Sequence, residues 1–369
     1  MCTRFYGIIL YSIPILAKDK KVQHNRIITA NRVIYQEEIF PELAEKFGYL
    51  TNKHEQFIQV LDLININAIY PRRLWDAFFG RPVSSRHAFI RAFVAKIIWG
   101  IDTTKDLIER LKVDRAMRSI CMFDYRVKKL PSESSFSRAF KELSELDIAS
   151  KIHEYLIVEH CSSELYEHTS IDGSSIEVAE KTTVVEKKER TTQEQLGKTT
   201  QEILKDLPNV CNFGAKKDSN GKGYKWKGYK LHAAVNDYNI PIAAVITSAS
   251  VNDTLCAIPL VRIVEQRVDN LYYLMDKGYD SAAIRTEVNN HGKVALIDFN
   301  HRGSKKDTRS FDINEKRHYG NRAFSESFFS HLKMQYLPNY VLYRGIKKVT
   351  SVLNFALSVI TAVQIIKYA

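Results

Sequence analysis

Cysteine is scarce and carries no pattern. Five occur among 369 residues (Cys2, Cys121, Cys161, Cys211 and Cys256), an odd number with no C-x-x-C spacing. That excludes a disulfide framework and a cysteine-based zinc framework, and it fits the reduced thiols of a cytoplasm. Uninterrupted hydrophobic runs are lacking as well. The opening MCTRFYGIILYSIPILAKDKK sets one Arg before an apolar run, but the run is short and no A-x-A cleavage site follows. The closing VTSVLNFALSVITAVQIIKYA is interrupted by Thr350, Ser351, Asn354, Ser358, Thr361 and Gln364, so it reads as a helix docked on a core. Neither export nor a membrane span is expected. An acidic excess is also missing: 54 Lys and Arg face 42 Asp and Glu, for a net charge of +12. Such a chain is drawn to polyanions, nucleic acid first and a membrane surface as its competitor.

What is present can build a core. The composition is 45% hydrophobic and 26% charged, which argues against global disorder, and the length favours two domains. Residues 1–160 are expected to form a helical N-terminal domain that binds DNA. In SSRHAFIRAFVAKIIWGI, Phe89, Phe93 and Ile97 recur every four residues. TTKDLIERLKVDRAMRSI starts on Thr before Leu107 and Leu111, and PSESSFSRAFKEL starts on Pro-Ser before Phe136, Phe140 and Leu143. Arg91, Lys96, Arg110, Arg115, Arg118, Lys128 and Lys129 suit either a DNA-binding module or a solvated basic face.

Residues 161–369 read as a mixed α/β domain. HTSIDGSSIEVA, GYKLHAAVND, IPIAAVITSAS, NLYYLMDKGYD and KVALIDF have the β-branched and aromatic content of strands. NDTLCAIPLVRIVEQRV and DSAAIRTEVNNHG read as helices between the later strands, giving a mixed sheet with helices packed on it. Between the first two strands, about 181–222, lies a polar excursion, read as a loop with one short helix over TTQEILKDL.

Chemistry gathers in YGNRAFSESFFSHLK, Tyr319 to Lys333, with the pattern Y-x2-R-x3-E-x6-K. On one α-helix, Tyr319, Arg322, Glu326 and Lys333 fall within an arc of roughly 60°, while Phe324, Phe328 and Leu332 face the other way. By itself this is compatible with a surface helix carrying an Arg322–Glu326 pair worth a few tenths of a kcal/mol. Two further acids, Asp172 in SIDGSS and Asp276 in YYLMDKGYD, are each expected at the end of a strand. There they either cap a turn or face a ligand. Three converging carboxylates need a cation, and hard oxygen donors select Mg²⁺ or Mn²⁺.

Asp in D-G-S, Asp in D-x-G-Y and Glu in Y-x2-R-x3-E-x6-K, in that order, resemble the DDE transposases of bacterial insertion sequences, over about 165–345. LPSESSFSRAFKEL is similar to the helical region that precedes their core. The resemblance implies a ribonuclease H-like fold and two divalent ions held by Asp172, Asp276 and Glu326. It also implies phosphate contacts from Arg322 and Lys333, and a DNA-positioning role for Tyr319. A dimer working on paired DNA ends follows from the reaction. About 50 residues separate Asp276 from Glu326, too few for the large insertion some relatives carry there.

KGYKWKGYK interleaves Lys225, Lys227 and Lys230 with Tyr224, Trp226 and Tyr229. This suits a strand along a DNA backbone with rings free to stack, or an edge strand guarded by lysines. Lys277 and Arg302 are weaker candidates for DNA contact. His153, His160, Cys161 and His168 match no zinc spacing and are read as ordinary helix and linker positions. Ser174 and Ser325 have no His-Asp context to make them nucleophiles. The rival functions are a DNA-binding relative without catalysis and a metal-dependent nuclease that does not join strands.

Overall fold

The computed structural model describes residues 39–70, 85–123, 130–184, 188–217, 223–300 and 310–368. Cys2, Lys128, Lys129 and Arg302 lie outside them.

The first half is helical: α1 (Phe40–Phe47), α2 (Asn52–Ile64), α3 (Arg86–Ile98), α4 (Thr104–Val113), α5 (Arg115–Ile120), α6 (Glu133–Glu145) and α7 (Ile148–Cys161). Caps set the boundaries. Thr103 accepts from Asp106 N at the start of α4, and Asp114 accepts from Met117 N at 2.9 Å, separating α4 from α5. The four-residue aromatic periodicity becomes packing: Phe89 meets Phe136 edge-on at 4.8 Å and Phe93 meets Phe140 at 5.0 Å. Part of the expected basic face is used internally. Lys96 is buried and donates to the Asp102 carbonyl, with burial pulling its pKa down to about 8. Arg91 donates to the Ile120 carbonyl, while Arg110, paired with Asp114, and Arg115 are both exposed.

The second half carries one six-stranded mixed sheet: β1 (Leu165–Glu177), β2 (Asn212–Lys217), β3 (Gly223–Asn236), β4 (Pro241–Ser248), β5 (Asp269–Met275) and β6 (Val294–Ile297). β3 runs antiparallel to β1 and β4, and its N-terminal half pairs with β2; β5 and β6 continue parallel to β1. The helices are α8 (Thr200–Asp206), α9 (Thr254–Glu265), α10 (Ala282–Asn290), α11 (Ile313–Tyr319), α12 (Ala323–His331) and α13 (Ile346–Tyr368). One sheet face packs on α9 and α10; the other shares a single core with α12, α13 and the N-terminal helices, from Phe57 to Ala362. This mixed sheet flanked by helices is the ribonuclease H-like architecture. α13 is long and apolar enough to cross a membrane, but most of it is buried against α2, α3, α6 and α7, as a core-docking helix should be.

Three local readings change. The 181–222 excursion contains, besides α8, a one-turn helix at Thr192–Gln195 and the strand β2. β1 does not end at Asp172 but runs on to Glu177. Gly173 serves close packing rather than a turn: a Cβ there would lie 3.0 Å from His232 Nδ1 and 3.2 Å from Asp253 Oδ1. The Tyr319–Lys333 segment is not one regular α-helix. It passes from α11 through a 3₁₀ turn (Gly320–Arg322) into α12 and then a π turn (Leu332–Tyr336). Its buried residues are Ser325, Phe328, Phe329 and Leu332, an i, i+3, i+4, i+7 stripe of α12 and its C-cap, with Phe324 only half-buried.

Candidate active site

Strand register brings the two aspartates together. In the parallel pairing of β1 and β5, Ile171 lies opposite Met275, so the next residues, Asp172 and Asp276, stand side by side on one face. Asp172 Oδ1 accepts from Gly173 N at 2.7 Å. Asp276 Oδ1 accepts from Gly278 N at 2.8 Å, capping the 3₁₀ turn Lys277–Tyr279. Asp276 is thus a capping residue and also a neighbour of Asp172. Burial is the main cause that lifts the Asp172 carboxyl from 3.8 to about 6. The Asp276 charge adds to the rise, and the Gly173 amide, Lys216 and Arg322 oppose it.

A serine latch sets α12 over this face. Ser170, two residues before Asp172 and on its side of β1, donates to Ser325 Oγ at 3.0 Å. Ser325 Oγ in turn donates to the Arg322 carbonyl at 2.9 Å. Arg322 pairs with Glu326 at i, i+4. Burial alone would lower the Arg322 pKa, but Tyr319, Glu326 and Asp172 together raise it. Arg322 therefore feels both Glu326 and Asp172. Tyr319 packs on Phe311 at 4.9 Å, and burial raises its pKa to about 12, so it stays a neutral phenol. Lys333 donates to Ser175 Oγ at 3.2 Å, and burial lowers its pKa.

The Lys/aromatic strand divides into two kinds of residue. Lys225 is exposed and Lys227 half-buried. Trp226 is buried: its ring covers Gly214, where a Cβ would come within 2.3 Å, it stacks on Tyr224, and Nε1 donates to the Tyr229 carbonyl at 3.1 Å. Its faces are already covered, so it is not a free stacking platform. Lys230 turns inward, donating to Asp253 Oδ1 at 2.7 Å and to the Val251 carbonyl at 2.8 Å. The C-terminal half of β3 is paired on both sides, by β1 and β4, whereas the half that carries Lys225 and Lys227 pairs with β2 alone among the described strands. Lys277 is exposed beside Asp276.

Lys216 escaped the sequence reading. It lies in the excursion, on β2, where its charge reaches Asp172. The NFGAKK segment reads as loop from sequence, and only its pairing with β3 brings the lysine near the acids. His153 is buried in α7, where burial lowers its pKa to about 3, and it joins no metal cluster with His168.

The donors suit a hard cation. Asp172 and Asp276 offer oxygen alone, the donor type that a divalent hard cation prefers, and burial together with the Asp276 charge makes an ionised Asp172 costly unless a cation offsets it. Glu326 is exposed and engaged with Arg322; the three carboxylates do not lie within 4.8 Å of one another.

The chain matches the transposase DDE domain family over residues 163–360 and the transposase domain (DUF772) over residues 45–142. Neither a curated protein nor a solved structure matches it. Asp172, Asp276 and Glu326 all fall within the first match, which covers more than half the chain and also takes in the sheet, α12 and most of α13. The chain belongs to the transposase DDE domain family.

Proposed function

We propose that this transposase binds the terminal inverted repeats of its own element, cleaves phosphodiester bonds there and transfers the 3′ ends to target DNA. Asp172, Asp276 and Glu326 would hold two Mg²⁺ ions, with Mn²⁺ as a substitute. The observation that carries this reading is the side-by-side placing of Asp172 and Asp276 in the β1–β5 register, with Arg322 close enough to sense Asp172. Bound there, the ions would activate the attacking water or 3′-hydroxyl and neutralise charge on the leaving oxygen.

The protein's own groups act around that chemistry. Arg322 is held by Glu326 without DNA. A phosphate arriving at Arg322 competes for the guanidinium and frees the Glu326 carboxylate to turn toward the aspartates. Lys333 and Tyr319 flank that phosphate, the first as a cation and the second as a neutral hydrogen-bond donor. Lys225 and Lys227 contact the DNA backbone, while Trp226 and Lys230 support that strand from within. Two copies act on paired ends.

The test uses labelled oligonucleotides carrying the element's ends, with Mg²⁺. Wild type should yield strand-transfer products, and Asp276→Ala should lower their rate by more than about a hundredfold, a barrier increase of about 3 kcal/mol. Water-derived products alone would identify a nuclease that does not join strands. A wild type inert with both metals, or unaffected by Asp276→Ala, would leave a DNA-binding relative without this catalysis.

A further inference from the structure

We propose a second metal centre built on histidine: Glu167, His168 and His318 form a site for a borderline transition-metal ion such as Zn²⁺, oriented by Asp237. Among the described residues these three are the one cluster of potential ligands whose donor atoms all lie within 4.8 Å of one another. His168 Nε2 lies 2.9 Å from His318 Nδ1, and a Glu167 carboxylate oxygen lies 3.5 Å from the same His318 nitrogen.

The cluster is organised before any ion arrives. Asp237 grips His168 twice, its Oδ2 accepting from the backbone N at 2.9 Å and its Oδ1 lying 2.9 Å from Nδ1. A carboxylate can only accept, so the His168 proton is held on Nδ1 and the Nε2 lone pair points at His318. This carboxylate–imidazole pairing is how metal-bound histidines are usually oriented. Asn321 Nδ2 sits 3.3 and 3.4 Å from the two His168 nitrogens. Tyr272 fixes both rings, stacking on His168 at 5.5 Å and on His318 at 4.5 Å. His168 is buried, while His318 is partly exposed and Glu167 exposed, leaving an entry path.

Two imidazoles and one carboxylate suit Zn²⁺ better than Mg²⁺, and three protein ligands leave a fourth position for water. Zinc–nitrogen bonds of about 2.05 Å in a tetrahedron set the nitrogens about 3.3 Å apart, a spreading of only about 0.4 Å. The placing gives the site a task. His168 lies four residues before Asp172 on β1, and His318 stands in the last turn of α11, just before Tyr319. An ion shared by them ties the entry to α12 onto the strand that carries Asp172. The ligand pair is 150 positions apart in sequence, so no spacing motif announces it.

The site is independent of the strand-transfer reading, and its test does not use activity. Untagged full-length protein carrying Asp172→Asn, Asp276→Asn and Glu326→Gln, which removes the other carboxylates, is stripped with chelator. It is then titrated with Zn²⁺ by calorimetry and with Co²⁺ by visible absorption. One equivalent of Zn²⁺ should bind in the presence of excess Mg²⁺, and Co²⁺ should give the intense bands of a four-coordinate site. His318→Ala on that background should weaken Zn²⁺ binding by more than about a hundredfold. Glu167→Gln, at an exposed position that leaves folding unaffected, should weaken it about tenfold or more. No Zn²⁺ uptake by the parent, or affinity unchanged in Glu167→Gln, would reduce the cluster to a histidine–histidine hydrogen bond and overturn the proposal.

Discussion

Asp172 is a carboxyl whose folded pKa, about 6, stands above its ordinary 3.8, chiefly because it is buried. A group raised in this direction binds its proton more tightly in the folded chain than in the unfolded one. Its stabilising contribution is therefore complete below about pH 4 and is lost as pH rises through about 6. Above that range the ionised carboxylate costs about 3 kcal/mol when no cation offsets it. Asp172→Asn should thus raise the metal-free melting temperature at pH 8 and leave it nearly unchanged at pH 4, while abolishing DNA cleavage. Thermal scans at the two pH values check this; equal shifts at both would remove the titration from the explanation. The same proton competes with a metal, so Mg²⁺ affinity should fall below about pH 6.

The elements show what a helical wheel misses. The Y-x2-R-x3-E-x6-K spacing groups four polar residues that are local in sequence; in the fold Arg322 pairs with Glu326 while Lys333 reaches Ser175 on β1. The wheel assumed a uniform 100° per residue, and the 3₁₀ turn before Ala323 and the π turn after His331 each break it. Along α12 and its C-cap, Ser325, Phe328, Phe329 and Leu332 recur at i, i+3, i+4 and i+7, so the buried stripe is centred on them rather than on the Phe324–Phe328–Leu332 row. Ser325 looked like a bystander, since its use depends on Ser170, which is 155 positions away. β2 was unreadable for another reason. Phe213 is 63% exposed, so NFGAKK lacks an apolar face, and backbone pairing to β3 together with the Trp226–Gly214 contact holds it. Asp276 follows a strand end as its sequence suggests, whereas Asp172 lies within β1, and their adjacency is a property of register, which a single strand does not encode. The serine latch predicts that Ser325→Ala costs about 1 kcal/mol of stability, because the Ser170 hydroxyl loses its nearer acceptor and keeps only the Arg322 carbonyl at 3.5 Å. Cleavage should slow by more than DNA binding weakens, since Arg322 and Glu326 lose their seat over Asp172. Equal losses in both assays would count against the latch.

At the scale of the whole molecule, the helical region before about residue 160 and the α/β region after it share an apolar core. One cluster runs from Phe57 and the N-terminal helices through α13 to Tyr229, Leu231 and Ala233 on the sheet. α13 is its axis. Phe355 is buried, touches Phe93 of α3 at 6.0 Å between ring centroids, and belongs to the same cluster as Phe328 of α12. Deleting that ring leaves a cavity that neither half can close alone, at a cost of about 3–5 kcal/mol. Because both halves line the cavity, the loss should fall on one cooperative transition. Phe355→Ala should therefore lower a single denaturant midpoint, read identically by far-ultraviolet circular dichroism, which follows the helices, and by tryptophan fluorescence. Among the described residues the fluorescence reports on both regions, through Trp99 after α3 and Trp226 on β3. If the two probes separated, with one transition shifted and the other unmoved, the helical region and the sheet would be independent folding units despite their shared core.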